Sequence, residues 1–321
     1  MALDALGRRT RLQPTTTGKS ITLQPADLLW FQKLYEHGPL PSSFLLTYSQ
    51  DLRLSQKRAT ERLTDLFNEE TTKHGGRYLE RPAQQFRTLD SRYNQLVYGL
   101  RKSAIVALKK EGQLPPAQGA SAGPWVHRFM VACVTASIEL ATEKRDDVSF
   151  IAGHRVLARA ETELRYPVSI NDPKTDATIT KDLIPDALFG LKYHTEEGNR
   201  FRFFLVECDR ATEPATTKNF NRKSWLRSLR QYEEYIGRGR YREHLKLKSP
   251  LLVLNVVPDE TRLKQLLAVT EKDSGSAGNP YQLFQSIEGF GAVFRPPSPI
   301  AELLENSWQR AGREPFRIDQ A

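Results

Sequence analysis

Apolar residues recur at three- and four-residue spacing over the first hundred positions, and as alternating or unbroken runs further on. Leu28, Leu29, Phe31, Leu34 and Tyr35 form one face of a helix that opens around Thr22–Asp27, takes Pro25 in its first turn and stops at Gly38. A second short helix fits Ser42–Asp51, with Phe44, Leu45 and Tyr48 as its apolar side. Ser55 is a good N-cap for a third, whose Ala59, Leu63, Leu66 and Phe67 share a face. Tyr78–Pro82 reads as extended, Asn94–Leu100 as a returning strand, and Arg101–Glu111 as a helix. Three helices followed by a two-stranded hairpin make the winged helix-turn-helix pattern.

The pattern breaks at 112–124, GQLPPAQGASAGP, which carries no charge and reads as a linker. The expected organisation is a flexible N-terminus over 1–20, a winged helix over 21–111, the linker, and a second domain over 125–321. In the second domain Trp125–Glu143 reads as a long, largely buried helix and Val148–Ala152 as a short strand. Leu183–Leu191 reads as a strand that includes Pro185 and Asp186, and Phe201–Asp209 as an apolar strand that ends in two acids. Ser224–Tyr235 is an amphipathic helix, Pro250–Val257 a buried strand, and Lys272–Pro280 a long surface loop. No internal repeat is present.

Composition narrows the classes. Hydrophobic residues make up 39% and charged residues 26%, which excludes a wholly disordered chain. Two cysteines, Cys133 and Cys208, are too few for a disulfide scaffold. No apolar run approaches the ~18 residues of a membrane span, so a cytoplasmic protein with no membrane partner is expected. The net charge of +9 is uneven. Residues 1–120 carry 18 Lys and Arg against 11 Asp and Glu, whereas the remaining 201 carry 29 against 27. A basic first third with a winged-helix pattern points to double-stranded DNA. Lys57, Arg58 and Arg62 lie on the outer face of the third helix, the element that enters the major groove in this fold. Arg77 and Arg81 fall in or near the wing, after Lys73–Gly76.

The near-neutral second domain carries the candidate chemistry. Glu207 and Asp209 are two apart on one strand and share a face. Asp186 on the neighbouring strand would stand beside Glu207. Carboxylates at that range repel and suit a hard divalent cation, Mg2+ or Mn2+, which can polarise a phosphodiester and activate water. Strand-end charges paired with Arg202, Arg210 or Lys192 are the plainer alternative. Cys208 faces away from the acids and reads as a core residue. His127 and His154 lack zinc-type spacing and read as structural or surface positions. The basic run Gly237–Arg242 reads equally as a phosphate contact or a solvated loop. No phosphate-binding Gly-x4-Gly-Lys-Ser/Thr loop occurs.

Pro185-Asp186, then Glu207-Cys208-Asp209 about twenty residues on, then a helix with Gln231-Tyr232, resembles the PD-(D/E)XK nuclease-like superfamily. Pro185-Asp186-Ala187 with the run Phe204–Pro214 (FLVECDRATEP) resembles more closely the replication-relaxation family of plasmids and phages, over roughly residues 24–297. The resemblance implies an α/β (α+β) fold: an N-terminal winged helix followed by a PD-(D/E)XK-like mixed-sheet domain with flanking helices. It places Asp186 and Glu207 as the motif acids and metal ligands, and Gln231 as an accessory residue. Glu139, on the preceding helix, could stand in for a further acid. Asp209 falls where the superfamily usually has lysine, the group that orients water or steadies charge on the phosphate. Asp209 would instead assist as a third ligand. Lys192, sharing a strand face with Asp186, or Arg210, Lys218 or Lys223 would then supply the cation. Two functions follow: a metal-dependent DNA nicking or cleaving enzyme, or a non-catalytic DNA-binding regulator with a degraded nuclease fold. A homodimer that spaces two winged helices on a palindrome is a third option.

Overall fold

A computed structural model describes residues 11–52, 55–70, 77–86, 94–116, 123–172, 175–217, 219–288 and 295–321. The chain forms two compact units. The first comprises residues 1–115 with 294–299, and the second residues 116–293 with 300–321. The division falls inside the stretch read as a linker. Among the described residues no helix is long and apolar enough to cross a membrane.

In the first unit α1 (Pro25–His37) begins with Pro25 at its first position, and the Asp27 carboxylate accepts from the backbone N–H of Gln24. Gly38, at φ 106°, ends it. β1 (Leu40–Pro41) leads into α2 (Ser42–Tyr48). α3 (Gln56–Asn68) is capped by Ser55, whose hydroxyl accepts from Arg58 N–H. β2 (Leu79–Glu80), β3 (Val97–Leu100) and α4 (Lys102–Lys110) follow. The antiparallel sheet runs β1-β3-β2, the strand and helix order of a winged helix. Trp30, Phe31, Phe44, Leu45, Leu63, Leu66 and Val97 fill its core. Lys73–Gly76 and residues 87–93 lie outside the described residues.

Part of the N-terminal stretch is bonded to the end of α3. Thr16, Thr17 and Gly18 all donate to the buried Glu69 carboxylate at the end of α3. A carboxylate taken out of water needs such donors, and this stretch supplies them.

The second unit opens with α5 (Trp125–Thr142) and β4 (Val148–Ala152). α6 (Gly153–Ala160) follows at once, and a Cβ at Gly153 would meet the Leu188 carbonyl at 2.0 Å. Then come the hairpin β5 (Tyr166–Asn171) and β6 (Thr178–Leu183), the long pair β7 (Ala187–Thr195) and β8 (Gly198–Cys208), and α7 (Trp225–Tyr232). A π-helical turn over Glu233–Gly237, α8 (Arg240–His244), β9 (Leu251–Val257), α9 (Glu260–Ser274) and β10 (Gln282–Ser286) continue the unit. α10 (Glu302–Glu305), β11 (Ser307–Arg310) and β12 (Arg313–Arg317) close it.

The main sheet has seven strands in the order β12-β11-β10-β9-β8-β7-β4. β4, β7 and β8 form an antiparallel meander, while β8, β9 and β10 run parallel. Helix, meander, helix and parallel strand is the helix–mixed sheet–helix core implied by the resemblance, on an α+β fold. One sheet face, with Leu188, Phe203, Leu205 and Val253, packs on α6, the β5–β6 hairpin, α7 and α8.

Three sequence readings change. The strand read from Leu183 is two elements, because Ile184-Pro185-Asp186 interrupts it and proline has no N–H to donate. The helix read to Tyr235 gives way to the π turn after Tyr232. The loop read from Lys272 starts later, since α9 runs to Ser274 and Asn279 beyond it is buried.

Candidate functional site

The site forms where β7 begins and β8 ends. Asp186 N–H donates to Val206 O at 3.0 Å, which extends the β7–β8 ladder by one step and sets Asp186 beside Glu207. Both Asp186 oxygens are oriented. Oδ2 accepts from Cys208 N–H at 2.8 Å, and Oδ1 lies 2.8 Å from His127 Nε2. His127 comes from the first turn of α5. Glu207 accepts at Oε1 from the phenol of Tyr232, which is fully buried on α7.

Burial, then the charge of Asp186, raises the Glu207 carboxyl well above the usual carboxylate range, and the Tyr232 bond works against them. Among the described residues no lysine or arginine pairs with Asp186 or Glu207. The partners Arg202, Arg210 and Lys192 weighed for these acids lie elsewhere. Arg202 donates to the Gln320 carbonyl and stacks on Phe316. The Arg210 Nε is buried without a partner among the described residues. Lys192 pairs with Ser149 on β4 and Phe201 on β8, six residues along from Asp186. That is ~20 Å of strand, beyond the reach of a lysine side chain. Lys192 therefore does not join the acids.

Asp209 turns away as well. Its Oδ2 accepts from Arg262 Nε at 3.0 Å and Nη2 at 2.6 Å, and its Oδ1 accepts from Ala211 N–H. Arg262 is 6% exposed. The carboxylates of Asp186, Glu207 and Asp209 do not converge within 4.8 Å of one another. The shared strand face predicted for Glu207 and Asp209 fails because β8 ends at Cys208 and the chain turns.

Gln231 is buried, and its Nε2 donates to the Lys181 carbonyl at 3.0 Å, tying α7 to the hairpin. Glu139 lies twelve residues along α5 from His127, ~18 Å of helix rise away from the residue that touches the site. Cys208 and Cys133 are free and buried, and burial raises both thiols. Lys218 lies outside the described residues.

Two residues complete the surroundings. Lys223, just before α7, bonds Glu213 Oε1 at 2.8 Å. Burial lowers its ammonium pKa, but the Glu213 bond and the charges of Glu207, Glu213 and Asp186 outweigh it and raise it. The sequence reading noted Lys223 only among several cations and set His127 aside. His127 stands 59 positions from Asp186, so nothing in local spacing joins them. Glu213 was already in view as the last acid of the ECDRATE run.

Of the basic residues assigned to DNA on the first unit, Lys57 and Arg58 are exposed on the opening turn of α3. The other three are internal braces. Arg62 grips the buried Asp27 with bonds of 3.1, 3.2 and 2.6 Å and donates to the Thr22 carbonyl. Arg77 bonds the Asn68 carbonyl and Glu70. Arg81 stacks over Phe67, 4.0 Å from its centroid, and donates to Tyr98 and the Arg11 carbonyl. A guanidinium already spent on such partners gives up those bonds if it reaches for phosphate.

A family model described as replication-relaxation matches residues 31–249. The chain belongs to the replication-relaxation family. The match spans α3 as well as Asp186, Glu207, Lys223 and Tyr232, and stops just before β9. No curated protein and no solved structure matches the chain. Within this replication-relaxation protein, the Asp186 and Glu207 oxygens are the donor set that suits a hard divalent cation.

Proposed function

We propose that this protein binds double-stranded DNA through its winged helix and hydrolyses a phosphodiester in its second unit, in the replication or relaxation of plasmid or phage DNA. Mg2+ or Mn2+ held by Asp186 and Glu207 would polarise the phosphodiester and lower the pKa of an attacking water. One observation carries the reading: Glu207 is desolvated beside the carboxylate of Asp186, and among the described residues no lysine or arginine pairs with either. Such an arrangement is costly unless a cation joins it. Its residues act in support of that task. His127 and the Cys208 N–H fix the orientation of Asp186, and the Tyr232 phenol donates to Glu207, favouring its charged form against burial and the charge of Asp186. On the first unit Lys57 and Arg58 offer phosphate or base-edge contacts at the start of α3.

A second reading has its own observation. The position that carries lysine in the nuclease superfamily is Asp209, and Arg262 neutralises it. That favours a fold retained for binding DNA without cutting it. Supercoiled plasmid incubated with the protein and Mg2+ or Mn2+, beside Asp186→Asn and Glu207→Gln, separates the two. Metal-dependent nicking by the wild type and its loss in both variants is expected. DNA binding without nicking overturns the hydrolase reading in favour of the second.

A further inference from the structure

The chain between β8 and α7 folds back on itself. Trp225 N–H donates to the Pro214 carbonyl at 3.1 Å and Leu226 N–H to Ala215 at 3.0 Å. Ser224 is fully buried and caps α7 by accepting from Arg227 N–H. These bonds fix the backbone of Lys223 against the helix whose Tyr232 holds Glu207. The Lys223 side chain is not fixed in the same way. It is 60% exposed, and its partner Glu213 is 41% exposed. Water screens an ion pair this open, so it adds little and exchange for a stronger anion is easy. Arg262 Nη2 bonds both Asp209 Oδ2 at 2.6 Å and the Glu213 carbonyl at 2.8 Å, which holds Glu213, and the lysine paired with it, beside the end of β8 that carries Glu207.

One turn on, Arg227 adds a second cation near Glu213. Its Nη1 donates to the Phe220 carbonyl at 3.4 Å, while its buried Nε has no partner among the described residues. Lys223 is thus a lysine on a labile tether, and Arg227 one turn on is an incompletely bonded guanidinium.

We propose that Lys223 contacts the DNA phosphate that lies over Asp186 and Glu207, exchanging its ion pair with Glu213 for a phosphate oxygen. Resting on the hydrolase reading above, this gives the site a cation from the start of α7 in place of one on β8. Glu213 then acts as the resting partner that holds the lysine aside when no DNA is bound.

The test titrates a short fluorescent duplex across a salt series with Mn2+ present, using the wild type, Lys223→Met, Lys223→Arg and Lys264→Met. Lys264 is exposed on α9 and serves as the control for loss of a surface charge. Lys223→Met is expected to weaken binding about tenfold and to reduce the slope of log K against log salt by about one phosphate contact. Lys223→Arg restores both, and Lys264→Met changes neither. Mn2+ affinity measured without DNA stays within about twofold of wild type in Lys223→Met, which keeps the acid pair out of the effect. Equal affinity and slope in wild type and Lys223→Met overturn the assignment, as does a wild type that binds no duplex. Plasmid nicking by the same preparations separates the two ideas. Nicking that survives in Lys223→Met at the wild-type rate, with unchanged binding, removes Lys223 and leaves the hydrolase. A Lys223 binding effect without nicking keeps the contact and removes the hydrolase.

Discussion

Tyr232, fully buried on α7, donates its phenol to Glu207, the carboxylate that burial and Asp186 together push upward. The bond favours the charged carboxylate and so opposes both pressures. Tyr232→Phe removes the donor and leaves the burial, so Glu207 should release its proton at a higher pH. A metal that needs the deprotonated form should then bind at higher pH as well. The midpoint of Mn2+ uptake against pH is expected to move up by about one unit, the equivalent of about 1.4 kcal/mol. A midpoint that stays put would show that the phenol does not tune this carboxylate.

The same upward push makes Glu207 a liability to the fold. A carboxyl whose pKa is higher folded than unfolded binds its proton more tightly in the native state. It therefore costs nothing below the unfolded value near 4.5, and the cost grows as pH rises from there through the raised native value. Glu207→Gln removes the charge and keeps an oxygen for Tyr232 to donate to. The variant should be more stable than wild type at pH 8 by about 1–3 kcal/mol, with the gap closing near pH 4. Urea unfolding at the two pH values measures it. A gap equal at both, or reversed, would mean that Glu207 is not strained at rest.

Asp209 and Arg262 predict the opposite pattern. Their bonds at 3.0 and 2.6 Å close a pair in which Arg262 is nearly inaccessible, and Arg262 Nη2 also holds the Glu213 carbonyl at 2.8 Å. Removing one partner leaves a desolvated charge. Arg262→Ala should cost about 3 kcal/mol of stability. Asp209→Asn should lower the melting temperature while leaving Mn2+ affinity at its wild-type value, because Asp209 is bonded to Arg262 and does not face Asp186 and Glu207. Loss of Mn2+ binding in a folded Asp209→Asn would return Asp209 to the ligand set.

These pairs show where the sequence is readable. The 3.6-residue stripes of α1 and α3 stand out because burial imposes a period on neighbouring residues, and the largely apolar α5 and the apolar strands β4, β8 and β9 stand out as buried runs. That Asp186 would stand beside Glu207 was legible from the two neighbouring strands. The hairpin β5–β6 was not, since Thr178–Leu183 is polar and mostly exposed and offers little contrast between its faces. Nor were the partnerships that assign roles. Arg262 is 53 residues from Asp209 and His127 is 59 from Asp186, so only the folded sheet and helices bring them together. Arg62 misled for the same reason, since a basic residue on a helix looks solvent-facing until Asp27 is placed beneath it.

That correction divides the α3 basic residues into two tests. Asp27 is wholly buried and Arg62 is its guanidinium partner across to α3, at 2.6 Å. Arg62→Ala leaves the carboxylate without that charge, so it should destabilise the first unit by about 3 kcal/mol. Any loss of DNA affinity in that variant should follow the loss of folded protein. Lys57 and Arg58 are exposed and among the described residues brace nothing through their side chains, so alanine at either should leave the melting temperature within about a degree. Each alanine should weaken duplex binding and lower the salt slope by about one contact. Melting curves and salt-series binding on the three variants read both quantities. If Arg62→Ala keeps full stability and alone flattens the salt slope, the brace is the wrong role and Arg62 belongs to the DNA face. If Lys57→Ala and Arg58→Ala bind as wild type, the opening turn of α3 does not meet DNA.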